Sequence, residues 1–215
     1  SRFEQEEWPV KKKLAQAVPP RPYPVSLRVE LRDVTPLVWR RVLVPNHWSL
    51  ASLHHYLQWM MGWNDSHAHE FEVGTGFVAP DWWIAERRLD MDTSNFRDER
   101  RVSVAAVAAE LGPRGEFEYR YDMGDDWRVR IVLEDAPDML VPDLPLPRCV
   151  AGENAGPPDD VGGPPGYEQF LAILADRQHE QHVDMVRWIG GVFDPKGFDL
   201  NRINREWKGA KGKRR

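Results

Sequence analysis

Alternating apolar and polar positions predict strands at the start and in the middle of the chain. One face of the run VSLRVEL, residues 25–31, is apolar throughout, and a second apolar run ends at Pro45. The segment HEFEV from His69 has the same two-residue period, which is typical of half-buried strands. Alternation on both sides of Gly124 predicts an antiparallel hairpin over residues 117–135.

Other segments have the apolar spacing of a helix. Ser49 can cap a first helix that Gly62 ends, and Ser103 and Gly112 bound a second. The C-terminal part contains the remaining predicted helices, which begin near Tyr167 and cover residues 182–189 and 200–207.

Two segments lack a clear period. Residues 74–101 are predicted to be irregular, with one short strand at WWIAERRL, and the Pro-, Gly- and Asp-rich residues 136–166 are predicted to be a loop. No strand-helix unit repeats along the chain. The sequence therefore predicts an α+β fold with a mainly antiparallel sheet, interspersed helices and a helical C-terminal part.

Residues 25–207 are predicted to form one domain of this class. Repeated prolines in VPPRPYP block helix and sheet pairing, so residues 1–24 are interpreted as an N-terminal arm and proline-rich linker. Residues 208–215 are interpreted as a basic tail. A chain of 215 residues is long enough to bury one sizeable core.

Composition excludes several classes of protein. Acidic residues outnumber basic ones by 34 to 29, so the body is not a uniformly basic, phosphate-neutralising surface. The single cysteine, Cys149, excludes an internal disulfide, and no apolar run approaches the roughly 20 residues of a membrane span. With no signal-peptide pattern at its start, the chain is predicted to be cytoplasmic and to have no membrane partner.

The hairpin bend gathers three carboxylates, Asp122, Asp125 and Asp126, around Gly124. A tight turn explains these residue types, because Asp122 can accept from backbone N–H groups and Gly124 can take a positive φ. The alternative is a Mg²⁺ site for phosphoryl chemistry. Such sites usually draw their acids from separate elements, so the turn interpretation is preferred.

A metal site is also possible at HAHEF. In a strand, residues two apart point to the same face, which would put His67 and His69 side by side. His54 or His55 and an acid could then complete a zinc site. Alternatively, one histidine is buried and hydrogen-bonded while the other lies at a strand edge. Cys149 alone cannot make a structural zinc site. The sequence therefore predicts no cofactor and no zinc that survives a chelator.

Candidate nucleic-acid contacts lie in a strand and in the tail. Arg40 and Arg41 must point to opposite faces, where either could hold a phosphate or pair with Glu30 on the neighbouring strand. The tail supplies five further basic residues, Lys208, Lys211, Lys213, Arg214 and Arg215. A short flexible cationic segment predicts weak binding to nucleic acid without sequence specificity.

Four stretches resemble the Ri-plasmid ORF-three-like family: VWRRVLVPNHWSLASLHHYLQWMMGWNDSHAHEFEV, FEYRYDMGDDWRVRIVLE, PRCVAGENAGPPDDVGGPPGYEQFL and FDLNRINREW. Its members are also labelled insertion-element passenger, TnpR-like proteins. The similarity spans about residues 25–207. The resemblance implies a link to plasmids and mobile elements.

The chain departs from this family's pattern at possible metal ligands. Relatives commonly have cysteine at the position of Gly156, some also at Val161, and often histidine at Val129. The glycine-proline loop, GPPDDVGGPPGY over residues 156–167, is predicted from its residues to be rigid and to pack on the aromatic face of the hairpin. The resemblance implies a metal site in relatives that joins the hairpin to this loop. Its loss here agrees with the predicted lack of zinc.

The leading interpretation is a non-enzymatic binding module for an unknown protein or ligand. Its groove would be formed by the hairpin, the glycine-proline loop and residues 67–71. One alternative is a divalent-metal-dependent enzyme of nucleic-acid or phosphoryl chemistry, and another is a DNA-binding accessory factor. Recombinase chemistry has no support, because Ser49 and Ser103 lie at helix starts and Tyr119 lies in a strand.

Overall fold

A computed structural model describes residues 23–135 and 144–209 of the chain. The predicted α+β class is confirmed. Almost all of the predicted arm and linker, and the end of the tail from residue 210, lie outside the described residues. The single-domain boundaries stay a prediction.

The described residues contain eight strands and six helices. The strands are β1 (Pro24–Leu31), β2 (Trp39–Pro45), β3 (His69–Val73), β4 (Gly76–Ala79), β5 (Phe96–Asp98), β6 (Glu116–Tyr121), β7 (Trp127–Glu134) and β8 (Arg148–Glu153). The helices are α1 (Leu50–Met61), α2 (Asp81–Arg87), α3 (Val104–Leu111), α4 (Gly163–Ala175), α5 (His182–Ile189) and α6 (Leu200–Glu206).

The strands form one sheet in the order β5-β4-β3-β6-β7-β1-β2-β8. Every pairing is antiparallel except that of β4 with β5. In the central hairpin Tyr121 pairs with Trp127, and β3 lies against β6 with His69 opposite Tyr121. This register brings the start of β3 next to the hairpin bend.

The core covers one face of the sheet. Alternate residues of the central strands are buried there with the apolar sides of α1, α3 and α4, including Tyr119, Trp127 and Tyr167. The opposite face carries cross-strand ion pairs, such as Arg130 with Glu30 and Glu116. Such one-sided burial explains the clean alternation of apolar and polar residues in these strands.

The capped helices are confirmed. The Ser49 and Ser103 side chains accept hydrogen bonds at the starts of α1 and α3, and Gly62 ends α1 in a left-handed conformation, with φ 81°. The helix predicted near Tyr167 begins earlier, at Gly163, because Pro164 and Pro165 fit the first turn.

The predictions for the two segments without a period were partly wrong. Residues 74–101 contain β4, α2 and β5, and WWIAERRL belongs largely to the helix rather than to a strand. Helix α2 has only seven residues, too few to establish a period, and the Trp83 indole fixes it by donating to Glu70. In the second segment, residues 148–153 form strand β8 rather than a loop.

The edge strand β8 was not predicted, because apolar and polar residues do not clearly alternate along it. It pairs with β2 across an irregularity in the register between Arg41 and Val42. On its outer side, the Asn204 amide of α6 accepts from the Cys149 N–H and donates to the Cys149 carbonyl. A side chain thus occupies an edge that could otherwise pair with another strand. Among residues 23–135 and 144–209, none of the helices has the length and apolar composition of a membrane span.

Candidate functional site

The hairpin bend is a tight turn, as predicted. Asp122 Oδ1 accepts from the backbone N–H groups of Gly124 and Asp125, at 2.9 and 3.3 Å. The prediction of a positive φ at Gly124 was wrong: the left-handed residues are Asp122, with φ 56°, and Asp126, with φ 54°. Aspartate tolerates this conformation because its short side chain can bond to the local backbone.

The three acids of the bend do not converge. Asp126 pairs with Arg120 and Arg128, while Asp125 Oδ2 accepts from the Gly162 N–H at 3.0 Å. Only Asp122 extends an oxygen towards a histidine. The structure therefore does not bring the three predicted carboxylates around one ion.

A second set of residues meets beside the bend. His67 Nε2 lies 2.7 Å from Asp160 Oδ1 and 3.5 Å from Asp122 Oδ2, and the ligand atoms of the three residues lie within 4.8 Å of one another. We call these residues the surface cluster. The side chains of His67 and Asp160 are 32% and 61% exposed, whereas that of Asp122 is 11% exposed. The cluster is open to solvent on one side.

The charges around His67 favour its protonated form. Partial burial alone would lower its pKa, but the hydrogen bond to Asp160 and the charges of Asp122, Asp160 and Asp159 raise the pKa above 6.5. Burial raises the pKa of Asp159, whose Oδ1 atom is buried and has no partner among the described residues. Its Oδ2 atom accepts from the Asn64 N–H at 2.9 Å. This end of the molecule therefore concentrates negative charge.

Close backbone contacts hold the glycine-proline loop against the hairpin and α1. Gly163 has φ 67°, and an added Cβ would overlap the carbonyl group of Asp125. An added Cβ at Gly156 would similarly overlap the carbonyl group of Met61. The predicted packing of this loop on the hairpin is confirmed. At Gly156 the backbone therefore leaves no room for a side chain.

The other histidine of HAHEF lies in the interior. His69 belongs to β3 and its ring stacks on His54 of α1, with centroids 3.5 Å apart and planes 5° apart. His67 precedes the strand, so the prediction that both histidines share one strand face was wrong. Of the alternative, the buried and hydrogen-bonded histidine is confirmed, since His69 is 4% exposed, whereas His67 lies before β3 and not at a strand edge.

Hydrogen bonds fix the tautomer of His54. The Asp65 carboxylate can only accept, so the hydrogen of neutral His54 lies on Nε2, and its Nδ1 accepts from the Tyr119 hydroxyl at 2.8 Å, which itself accepts from Gln58 Nε2. His54 Nε2–H then donates to Asp65 Oδ1 at 2.9 Å. Burial, then the adjacent His69, lowers the pKa of His54 to about 4. His54 is therefore neutral at neutral pH.

His69 completes this interior network through Glu99. Its Nε2 atom lies 2.7 Å from Glu99 Oε2, while its buried Nδ1 atom has no partner among the described residues. Burial lowers the pKa of His69 to about 3 and raises that of Glu99 to about 7. Ligand atoms of His54, Asp65 and His69 lie within 4.8 Å of one another. However, face-to-face rings aim their lone pairs in parallel planes, which disfavours a shared ion.

The remaining sequence candidates lie apart from both histidine clusters. Cys149 is buried on β8, where burial raises its pKa to about 11. Arg40 is 2% exposed and donates to three backbone carbonyls, those of Trp39, Glu153 and Asn154, beneath the ring of Phe198. Such burial puts Arg40 out of reach of a DNA backbone.

Arg41 forms an ion pair, but the predicted partner was wrong. Its Nε and Nη2 atoms donate to Glu134 at 2.6 and 3.0 Å, whereas Glu30 pairs with Arg28 and Arg130. Lys208 is exposed, and the other four basic residues of the tail lie outside the described residues. Nucleic-acid binding by the tail stays a prediction.

Comparison with known proteins agrees with the resemblance in sequence. Residues 24–202 match the profile described as plasmid pRiA4b ORF-3-like protein. The chain belongs to this family. It is 36% identical over 183 residues to the uncharacterised protein y4hQ of Sinorhizobium fredii (strain NBRC 101917 / NGR234), covering 84% of this chain and 89% of that protein.

A solved relative has the same fold. The crystal structure of MM3350, a protein of unknown function from Methanosarcina mazei Go1, matches with a TM-score of 0.68 and 30% identity. The match covers 83% of this chain and 96% of MM3350. The two relatives confirm the family and the fold, and their descriptions assign no activity.

Two acids were not identified from the sequence: Asp160, a member of the surface cluster, and its neighbour Asp159. They lie in GPPDDVGG, which was interpreted as a rigid loop packed on the hairpin. That packing was itself a usable signal, because acids on a loop that touches the bend come close to Asp122. His54 was predicted to lie near His69 only as a possible zinc ligand. Its stacking on His69 and its hydrogen bond with Tyr119 were not predicted.

Proposed function

We propose that the protein is a non-enzymatic binding module that engages its ligand through an exchangeable divalent cation on the surface cluster. The carrying observation is that the His67 imidazole lies between two carboxylates contributed by separate elements. One imidazole and two carboxylates are suitable ligands for Mn²⁺ and related ions. Asp122 comes from the hairpin bend, His67 from the residues just before β3, and Asp160 from the glycine-proline loop.

The hydrogen bonding of His67 supports cation binding over a simple ion pair. A protonated Nε2 can donate to Asp160 at 2.7 Å, but the 3.5 Å separation from Asp122 Oδ2 is too long for a good hydrogen bond. An ion in place of that proton would contact all three groups at once. Three protein ligands leave further coordination positions for water or a bound partner.

The proposed site is distinct from a structural zinc site. It contains one imidazole and no thiolate, and Asp160 is well exposed, so the ion should exchange freely and be removed by a chelator. This agrees with the expectation that no tightly held zinc is retained. A cytoplasmic location and a link to mobile elements belong to the same proposal, supported by the lone buried Cys149 and by the plasmid origin in the family's description.

Titration with Mn²⁺, followed by the electron paramagnetic resonance signal of the free ion, tests the proposal. The wild-type protein should bind one equivalent, and Asp160→Asn should weaken binding about tenfold or more, because it removes one charged ligand. Asp184→Asn is the matched control, since Asp184 is exposed on α5 and lies outside both histidine clusters. Equal affinity in the wild type and Asp160→Asn would contradict the proposal.

The open coordination positions favour one second candidate, a metal-dependent hydrolase of phosphate esters. A cation with bound water can activate that water for attack. Hydrolysis of bis(p-nitrophenyl) phosphate should then depend on Mn²⁺ and be lost in Asp160→Asn. Cation binding without hydrolysis would leave the binding module as the function.

A further inference from the structure

We propose that the ligand is a small amphiphile whose anionic head binds the cation and whose apolar body lies in the groove between α4 and α5. This inference rests on the proposed cation site. It identifies the ligand by chemistry, as an organic acid or phosphate with an apolar chain. It also gives a role to an exposed tryptophan beside the groove.

The groove has the size of a small-ligand site and a lining that is apolar on one side and polar at Asp160, Gln169 and Gln181. Its volume is about 330 Å³, within the range that small-molecule sites occupy. Buried Phe170 and Ile173 of α4 line its interior, and Met185 and Trp188 of α5 also line it. Trp188 is 48% exposed although its ring packs edge-on against Phe170. An apolar ligand would cover more of this surface.

The surface cluster and the groove are continuous. Asp160 contacts His67 in the cluster and also lines the groove, as does the next residue, Val161. A head group coordinated beside Asp160 would therefore have its body at the groove entrance.

Charge determines which head group can bind. Without a cation, Asp160 at the groove and the nearby Asp122 and Asp159 around His67 repel an anion. A divalent cation reverses the local charge and supplies coordination positions for an oxygen anion. Binding of the amphiphile should thus depend strictly on the cation, which an ordinary apolar groove would not require.

Calorimetry with octanoate and octyl phosphate tests this inference on the full chain, with and without saturating Mn²⁺. Both probes should bind only with Mn²⁺, and the tighter of the two identifies the head group as carboxylate or phosphate. Hexanoate should bind roughly tenfold more weakly than octanoate, because it lacks two methylenes. Octan-1-ol, which has the chain without the charge, should not bind measurably.

Two substitutions on α5 locate the ligand. Trp188→Ala should weaken octanoate binding about tenfold while leaving Mn²⁺ binding unchanged. Val183→Ala is the matched control, because Val183 is 65% exposed on the same helix and does not line the groove. It should bind octanoate as the wild type does.

The outcomes separate this inference from the proposal beneath it. If Mn²⁺ binds through Asp160 but neither probe binds, the amphiphile inference is wrong and the cation site stands. The inference is also wrong if octanoate binds with the same affinity with and without Mn²⁺. It is wrong as well if the Trp188→Ala and Val183→Ala variants bind octanoate with the same affinity. If the affinity for Mn²⁺ does not depend on Asp160, the proposed function itself is wrong.

Discussion

His67 and His69 are two residues apart, yet one lies at an open acidic surface and the other in the core. His69 stacks on His54, and burial keeps both rings neutral by lowering their pKa values. His67 faces Asp122 and Asp160, which raise its pKa despite partial burial. The same residue type therefore has opposite charge preferences within one short segment.

The contrast explains which cluster can serve binding. The interior network has nearly complete hydrogen bonding around His54 and is exposed only in part, at Asp65, so it stabilises the packing of α1 on β6. The surface cluster has an exposed carboxylate and one separation too long for a hydrogen bond. Histidine spacing alone would suggest one joint site, whereas the environments divide it into a structural part and a candidate binding part.

The largest effect should come from separating the loop from the hairpin. Gly163→Ala adds a Cβ that overlaps the Asp125 carbonyl at a positive φ, and should lower the free energy of unfolding by about 3 kcal/mol or more. Gly62→Ala is the control, because Gly62 also has a positive φ but nothing within 4 Å of the added atom. It should cost about 1 kcal/mol.

Urea denaturation of both variants measures these costs. Gly163→Ala should also weaken Mn²⁺ binding, since Asp160 would no longer lie beside His67 and Asp122. Equal costs for the two glycines would mean that the close contact at Gly163 does not hold the loop.

The next largest effect is the difference in stability between variants of the interior and the surface histidine. His54→Ala removes a buried ring and leaves the buried Tyr119 hydroxyl without its acceptor, and should cost about 3 kcal/mol. His67→Ala removes only partly exposed ion pairs and should change stability by less than about 1 kcal/mol. Thermal or urea unfolding of both variants checks the order, and a larger cost for His67→Ala would reverse the assignment of roles.

Stability should fall as the pH is lowered below about 6.5. The unfolded chain binds a proton at His54 with a pKa near 6.5, but the folded chain does so only near pH 4. Between these values stability should decrease by up to about 1.4 kcal/mol per pH unit. Glu99 and His69 together hold one proton in both states between about pH 4.5 and 6.5, so this pair should not add to the slope.

His54→Gln tests the source of this slope, because glutamine can still hydrogen-bond but does not titrate. Unfolding measured from pH 4.5 to 6.5 should show a flatter dependence than in the wild type. An unchanged slope would place the titration at another group.

The smallest effect concerns cation affinity. Mn²⁺ must displace the proton on His67, whose pKa is raised above 6.5, so affinity should increase as the pH rises through that pKa. His67→Gln should bind more weakly and with a shallower pH dependence. Calorimetry between pH 6 and 8 checks both, and affinity independent of pH would remove His67 from the site.

Much of the fold could be predicted because its signals are local. The alternation around Gly124 and the caps at Ser49 and Ser103 each specify one element. Helix α2 and strand β8 could not be found in this way, because a seven-residue helix and an edge strand depend on partners such as Glu70 and Asn204 that are distant in sequence.

The candidate site was only partly predictable for the same reason. His67 and Asp122 were each identified, but in separate hypotheses, because nothing local indicates that the chain before β3 meets the hairpin bend. The third member, Asp160, comes from a loop 38 residues after the bend residue Asp122. The left-handed conformation of Asp122 instead of Gly124 also depends on hydrogen bonds that the residue types alone do not determine.

A nuclear magnetic resonance titration of the histidine side chains distinguishes the charged surface histidine from the two neutral interior histidines in one sample. Long-range ¹H–¹⁵N spectra should show His67 titrating above pH 6.5, while His54 and His69 stay neutral down to about pH 5. One equivalent of diamagnetic Zn²⁺, which suits imidazole nitrogen, should shift the His67 resonances and leave those of His54 and His69 in place. Titration of His54 near pH 6.5, or a response to Zn²⁺ at His54 and His69 instead of His67, would contradict the account.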